Sequence, residues 1–198
     1  MSPGSWPRVA VGGYFGGLLA AAGAPVVMMS RRAFVAAVNS SGLYLDTQPF
    51  QNSVQVEVST ELKAVREADL VLFCVKTTDN AATARELPPF LMPSAIVISL
   101  QNDVDNVDQI RAGASIEALP TAVDVAALVQ VPGCVKHVGR GDRVIGLECE
   151  KTIEVAGIFE SAGIRCRISN DIAGDLWPKL LRNCALNAVS ALGQARYA

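Results

Sequence analysis

The chain has 198 residues, of which 51% are hydrophobic and 18% are charged, and its formal net charge is -2. This composition is typical of a folded globular protein and excludes an intrinsically disordered chain. The near-neutral charge provides no basic surface, so we expect no nucleic-acid partner. No apolar run in the sequence approaches the ~20 residues that span a bilayer, so we expect no membrane association either.

The cysteines give no sign of a disulfide framework or a metal site. The five thiols are scattered along the chain, and none stands in C-x-x-C spacing. An odd number at irregular spacing favours buried thiols in a reducing compartment. We therefore predict a cytoplasmic protein that binds no metal.

Strand-like and helix-like segments alternate over the first half of the chain. The predicted strands are residues 8–11, 25–29, 69–75 and 95–100. Helical segments follow them and end near residues 22, 40, 90 and 111. Strand, polar loop and helix in repetition indicate an α/β fold built on a doubly wound, mostly parallel sheet.

The remainder of the chain has a different texture. Residues 116–146 are β-rich with Gly and Pro turns, which fits strands added at the edge of the sheet. A helix over residues 152–162, a strand over 164–168 and a helix from Asp171 to the end are predicted to follow.

Polar residues and glycines stand where the predicted parallel strands end. Ligands of such sheets bind at these carboxyl ends, which carry Gly12, Gly13, Arg31, Lys76 and Asn102. Taken alone, Lys76 fits a cation at a strand end that meets water, and Asn102 fits a turn residue. Their placement at adjacent strand ends favours a binding site.

Three ordered segments resemble the ketopantoate reductase family. They are GGYFGGLLA (12–20) with SRR (30–32), FCVKT (73–77) with SLQN (99–102), and VKHVGRG (135–141) with LWPKLLRNCALN (176–187). Their order and spacing are similar to the family over nearly the whole chain. The resemblance implies a Rossmann-like, NADP-binding domain over residues 1–168. It also implies the first helix of an incomplete all-helical substrate and dimerisation domain over residues 169–198.

The resemblance also implies an activity: reduction of the 2-oxo group of ketopantoate by NADPH, which gives pantoate for pantothenate and coenzyme A synthesis. In the family pattern Lys179 would be the catalytic lysine, and Asn183 and Asn187 would contact the substrate. Asn102 and Lys76 would lie beside the nicotinamide and the substrate. The remaining cofactor residues would be Gly12, Gly13 and Arg31, with Arg31 at the adenosine 2′-phosphate.

The chemistry of these residue types supports those roles. Hydride addition to a ketone leaves negative charge on oxygen, which a protonated lysine both stabilises and neutralises. Lys179, Asn183 and Asn187 are spaced by four, so they share one face of a helix. The alternative is an ordinary solvated helix face.

The preference for NADP over NAD rests on a guanidinium at the second strand end. The Arg31 side chain suits a phosphate, whereas an acidic residue there would favour NAD, and none occurs over residues 28–33. An exposed basic pair at the start of a helix is the alternative.

The sequence departs from the family pattern in three places. The family has several more residues, including two glycines, between the positions of Val11 and Gly12, so the glycine-rich turn is shortened here. Asp103 stands where the family has glycine, and the family continues well past Ala198. We therefore expect a truncated member, with a non-catalytic or decayed nucleotide-binding fragment as the alternative function. Another small NADP-dependent dehydrogenase is a third possibility, and a homodimer stays open.

Overall fold

The computed structural model describes residues 7–47, 50–146 and 148–194 and has an α/β fold. The helices are α1 Pro7–Ala21, α2 Arg32–Ser41, α3 Asn80–Glu86, α4 Asn106–Ala114, α5 Glu150–Ser161 and α6 Ile172–Gly193. The strands are β1 Val27–Met29, β2 Leu43–Asp46, β3 Gln51–Val54, β4 Glu57–Ser59, β5 Leu70–Phe73, β6 Ile96–Ser99, β7 Ala118–Val131, β8 Cys134–Gly146 and β9 Cys166–Ser169.

The main sheet has the strand order β3-β2-β8-β7-β6-β5, and β9 also pairs with β8. The pairs β5–β6, β6–β7, β2–β8 and β8–β9 are parallel, while β2–β3 and β7–β8 are antiparallel. The predicted α/β fold with a mostly parallel sheet is confirmed. The expected position of the β-rich segment at the sheet edge is wrong, because the long β7–β8 hairpin lies in the middle and pairs with neighbours on both sides.

The first predicted strand is also wrong, because residues 8–11 belong to α1. Pro7 is the first residue of this helix, where its fixed φ suits the helical backbone and its missing N–H costs no hydrogen bond. A run of only three apolar residues, Val9 to Val11, is too short for periodicity to distinguish a strand from a helix. Within the described residues, β1 pairs with β4 in a separate two-stranded sheet.

Helix α1 packs closely on the main sheet because it is rich in glycine. A Cβ atom on Gly13 would come within 2.8 Å of Val135, and one on Gly17 within 2.8 Å of Leu45. Phe15, also on α1, is fully buried in the large core cluster. Burial of apolar surface at this interface stabilises the fold by about 25 cal/mol for each Å² removed from water.

Helix α6 begins at a well-capped N-terminus and runs through Pro178. The Asp171 carboxylate accepts a hydrogen bond of 2.9 Å from the Gly174 amide. In the first turn, Asp175 accepts hydrogen bonds from Arg167 and Ser169 at the end of the sheet. The division into domains at residue 168 stays a prediction. Over the described ranges, no helix combines the length and hydropathy needed to cross a membrane.

Candidate functional site

Two predicted site residues lie at equivalent places on neighbouring strands. The parallel register pairs Phe73 of β5 with Ser99 of β6. Lys76 and Asn102 each follow their paired residue by three positions, so both lie at the carboxyl edge of the sheet. The structure confirms the expected placement of these two residues at adjacent strand ends.

A buried amide network holds the loops after β5 and β6 together. Gln101 donates hydrogen bonds of 2.6 Å to the Val75 carbonyl and to Oδ1 of Asn80. Asn80 in turn donates to Asn106 over 2.9 Å, and Ser99 donates to Gln101 over 2.9 Å. Buried amides that are satisfied in this way fix a single loop geometry, because each lost partner would strand a desolvated polar group.

The turn after Asn102 is held in an unusual conformation. Asp103 has a φ of 101°, in the region that favours glycine. Its carboxylate accepts a hydrogen bond of 3.1 Å from the Thr77 hydroxyl, which also lies 3.0 Å from Oδ1 of Asn106. The residue that stands in place of the family's glycine therefore occupies a glycine-like backbone position and links the two loops.

The side chain of Lys179, on α6, extends to the carboxyl edge of the sheet beside Asn102. It is 8% exposed, and its Nζ atom donates a hydrogen bond of 2.7 Å to Oδ1 of Asn102. The same amine donates to the backbone carbonyl of Val123 in β7. A buried lysine that is held by two acceptors has a fixed position, which a solvated lysine lacks.

The surroundings of Lys179 change its ionisation. Burial, the largest cause, lowers the pKa of the amine from 10.5 to about 8. The carboxylates of Asp124 and Asp103 oppose this decrease, while the Arg182 guanidinium adds to it. An amine with a pKa near neutrality is suited to proton transfer at physiological pH.

The other predicted residues of α6 lie further along the same helix. Asn183 is half-buried and Asn187 is exposed. Both share the helix with Lys179, and their proposed contacts with a substrate stay a prediction.

The end of β1 presents the predicted basic pair. Arg31 and Arg32 are exposed at the start of α2. Beside them, the Ser30 hydroxyl is buried and has no hydrogen-bond partner. Buried polar atoms are normally paired, so this hydroxyl indicates a place where a polar ligand group would fit.

The sequence predicted that Gly12 and Gly13 lie in a turn after a strand. This prediction is wrong, because both glycines lie inside α1. A Cβ on Gly12 would lie 3.5 Å from Cys74, and Gly13 faces Val135 and Met28. These glycines serve close packing of the helix on its neighbours. The described residues thus place no glycine turn at the start of α1, and a role of the two glycines in cofactor binding stays a prediction.

Sequence reasoning missed several residues around the site. Val123 contributes only a backbone carbonyl, which leaves no side-chain signal in the sequence. Thr121, two residues earlier on β7, has a buried hydroxyl without a hydrogen-bond partner and lines a small cavity with Gln101 and Asp103. Asn80, the first residue of α3, and Gln101, which follows β6, are polar residues near the strand ends, and they were the available sequence signals for the amide network.

Comparison with known proteins identifies relatives over most of the chain. A family model described as "Ketopantoate reductase PanE/ApbA" matches residues 10–148. The chain is 34% identical over 192 residues to the 2-dehydropantoate 2-reductase of Pyrococcus abyssi. The match covers 92% of this chain and 61% of that protein. The chain thus spans about three fifths of the length of this curated relative.

Solved structures agree with this relationship. A PanE/ApbA family ketopantoate reductase from Ralstonia eutropha JMP134 is 44% identical with a TM-score of 0.89, and the match covers 93% of this chain and 62% of that one. A D-mandelate dehydrogenase solved with NADH and anilino(oxo)acetate has a TM-score of 0.81 at 18% identity, covering 91% and 60% of the two chains. The latter likeness concerns the fold alone.

The family model covers more than half of the chain, and the ordered motifs, the mostly parallel sheet and the solved relatives agree with it. The chain belongs to the ketopantoate reductase PanE/ApbA family.

Proposed function

We propose that this protein takes part in the NADPH-dependent reduction of a 2-oxo acid, with 2-dehydropantoate as the substrate and pantoate as the product. The observation that carries the proposal is the buried amine of Lys179, which is held 2.7 Å from Asn102 at the carboxyl edge of the sheet. The names of the relatives, 2-dehydropantoate 2-reductases, support the choice of substrate.

Lys179 is the proposed proton donor. The nicotinamide, when bound, supplies the hydride to the ketone carbon. In this proposal the protonated amine stabilises the negative charge that develops on the carbonyl oxygen and then gives that oxygen a proton. A pKa of about 8 keeps most of the amine protonated at pH 7 and makes its proton easier to transfer than that of a solvated lysine. General acid catalysis of this kind contributes about 10²–10⁴-fold to the rate.

Asn102 has a positioning part in this proposal. Its side-chain oxygen accepts from Lys179, so its amide nitrogen is left to face the opposite side. Asn183 and Asn187 are proposed to bind the polar groups of the substrate, because they continue the face of α6 that begins at Lys179. Lys76, exposed at the neighbouring strand end, is the proposed cation for the nicotinamide and substrate side.

The residues present suit the adenosine-phosphate and nicotinamide ends of NADP better than its central pyrophosphate. Arg31 and the unpaired Ser30 hydroxyl suit a ribose phosphate at the end of β1. Lys76 and Asn102 suit the nicotinamide end. The pyrophosphate would need backbone amides at a helix start, whereas Gly12 and Gly13 lie within α1 and pack against the protein.

The placement of Gly12 and Gly13 inside α1, where they pack against Cys74 and Val135, favours the second candidate function, a non-catalytic or decayed nucleotide-binding fragment of the family. A different small NADP-dependent dehydrogenase is the third candidate and would differ in substrate preference. The domain division at residue 168, a homodimer and a cytoplasmic location belong to the same proposal and stay predictions.

Cofactor binding separates these candidates. The chain is titrated with NADPH and with NADH while nicotinamide fluorescence is followed. We expect saturable NADPH binding at micromolar concentration, weaker binding by Arg31→Ala, and unchanged binding by the control Arg111→Ala on α4. Turnover of 2-dehydropantoate that is lost in Lys179→Ala would then support the reductase. A folded chain that binds NADPH without turnover would support the non-catalytic nucleotide-binding fragment, and a folded chain without saturable binding would support a decayed one.

A further inference from the structure

Helix α6 is tied to β7 at two consecutive points. Lys179 donates to the carbonyl of Val123. One helical turn later, Nη2 of Arg182 lies 3.4 Å from Oδ2 of Asp124, the next residue of β7. The ion pair and the buried amine therefore connect the same helix to the same stretch of strand.

As a stabiliser of the fold, this ion pair is a minor element. The Arg182 and Asp124 side chains are 44% and 43% exposed, and pairs that are open to water contribute little to the free energy of unfolding. The charges of Asp124 and Arg182 nevertheless act on the Lys179 amine, because a buried amine is poorly screened from nearby charges.

We propose that Asp124 and Arg182 form a positioning pair for Lys179, which keeps the amine against Val123 and Asn102 and balances its charge. This inference rests on the proposed function, in which Lys179 donates the proton. Neither residue needs to touch the substrate, because both act through the amine.

The charges around Lys179 have opposite effects. Among the described side chains, Asp124 on β7, Asp103 on the loop after β6 and Arg182 on α6 itself influence the amine. Removal of the Arg182 charge should raise the pKa of Lys179, and removal of the Asp124 charge should lower it. Removal of both should leave the pKa between those of the two single variants.

The test is a direct titration of Lys179 in the full chain. Lysine labelled with ¹³C and ¹⁵N is incorporated, the Lys179 signal is assigned with Lys179→Arg, and it is followed from about pH 6 to about pH 11. We expect a higher pKa in Arg182→Gln, a lower pKa in Asp124→Asn, an intermediate value in the double variant, and a wild-type value in Arg182→Lys.

Arg167→Gln provides the matched control. Its ion pair with Asp175 also ties α6 to the sheet, at 2.7 Å, but Arg167 is not among the charges that act on Lys179. We expect it to leave the Lys179 titration unchanged. Equal pKa values in Arg182→Gln and wild type, with only a lower melting temperature, would overturn the proposal, as would shifts of the same sign in both single variants. The titration needs no turnover, so its outcome is separate from that of the proposed reductase activity.

Discussion

The Nζ atom of Lys179 lies 2.7 Å from Oδ1 of Asn102, although 77 positions separate the two residues in the chain. The contact joins α6 to the loop after β6. Asn106 fixes that loop, because its side chain donates a hydrogen bond of 2.5 Å to the Asn102 carbonyl. The contact therefore brings together two elements that lie far apart in the sequence.

The first prediction concerns the pH dependence of turnover. If Lys179 is the proton donor, its protonated form is the active one, so kcat should fall as the pH rises through about 8. Replacement by alanine should lower kcat by about 10²–10⁴-fold and remove this alkaline limb. The measurement is kcat as a function of pH for the wild type and Lys179→Ala. A wild-type profile that stays flat to pH 10 would contradict the role of this amine.

The second prediction concerns the pH dependence of stability. Below about pH 8, Lys179 is protonated in both the folded and the unfolded state, and the cost of its burial is fully present. Between about pH 8 and 10.5 the folded state releases this proton while the unfolded state keeps it, so the free energy of unfolding rises with pH. The full difference is roughly 3 kcal/mol.

This contribution is isolated by urea unfolding of the wild type and Lys179→Met between about pH 7 and pH 10.5. The wild type should gain stability relative to the variant over that range. Parallel curves for the two proteins would show that the amine titrates normally.

The third prediction concerns the backbone at Asp103. Replacement by glycine should raise the free energy of unfolding by about 1 kcal/mol, because a φ of 101° is strained for a residue with a Cβ. Part of the gain is offset by the lost hydrogen bond from Thr77, which keeps its contact with Asn106. Urea unfolding measures the change.

Ser115→Gly is the matched control for this prediction. Its φ of 53° lies in the left-handed helical region, where the strain is smaller. We expect a smaller gain for Ser115→Gly than for Asp103→Gly. Destabilisation by Asp103→Gly would mean that the link to Thr77 outweighs the backbone strain.

The fourth prediction compares two neighbouring glycines of α1. A Cβ on Gly16 would meet its nearest neighbour, Val26, at an ordinary 3.5 Å, so Gly16→Ala should stabilise the protein by about 0.8–1 kcal/mol through helix propensity. A Cβ on Gly17 would lie 2.8 Å from Leu45, so Gly17→Ala should cost about 1–3 kcal/mol. Thermal unfolding of the two variants checks the opposite signs, and equal effects would contradict the packing of α1 on β2.

Local sequence patterns determined much of the fold and part of the site. The alternation of apolar strands with helices predicted the parallel order of β5 and β6, and the polar residues after these strands placed Lys76 and Asn102 at one edge. The spacing of Lys179, Asn183 and Asn187 placed them on one helix. Periodicity and strand-end chemistry are local properties, so the sequence carries them without reference to distant residues.

Tertiary contacts decided the rest. The short run at residues 8–11 suits either a strand or a helix, so local pattern does not decide between them. Its helix, α1, packs against Val135 and Leu45, which lie on strands far along the chain. The position of the β7–β8 hairpin within the sheet depends on pairing with β2, β6 and β9. Lys179 acquires its lowered pKa through burial against Val123 and Asn102, and neither contact leaves a mark in the sequence around Lys179 itself. Burial and long-range pairing are properties of the folded chain as a whole, which is why the sequence alone determined the candidate residues and the tertiary structure determined their chemistry.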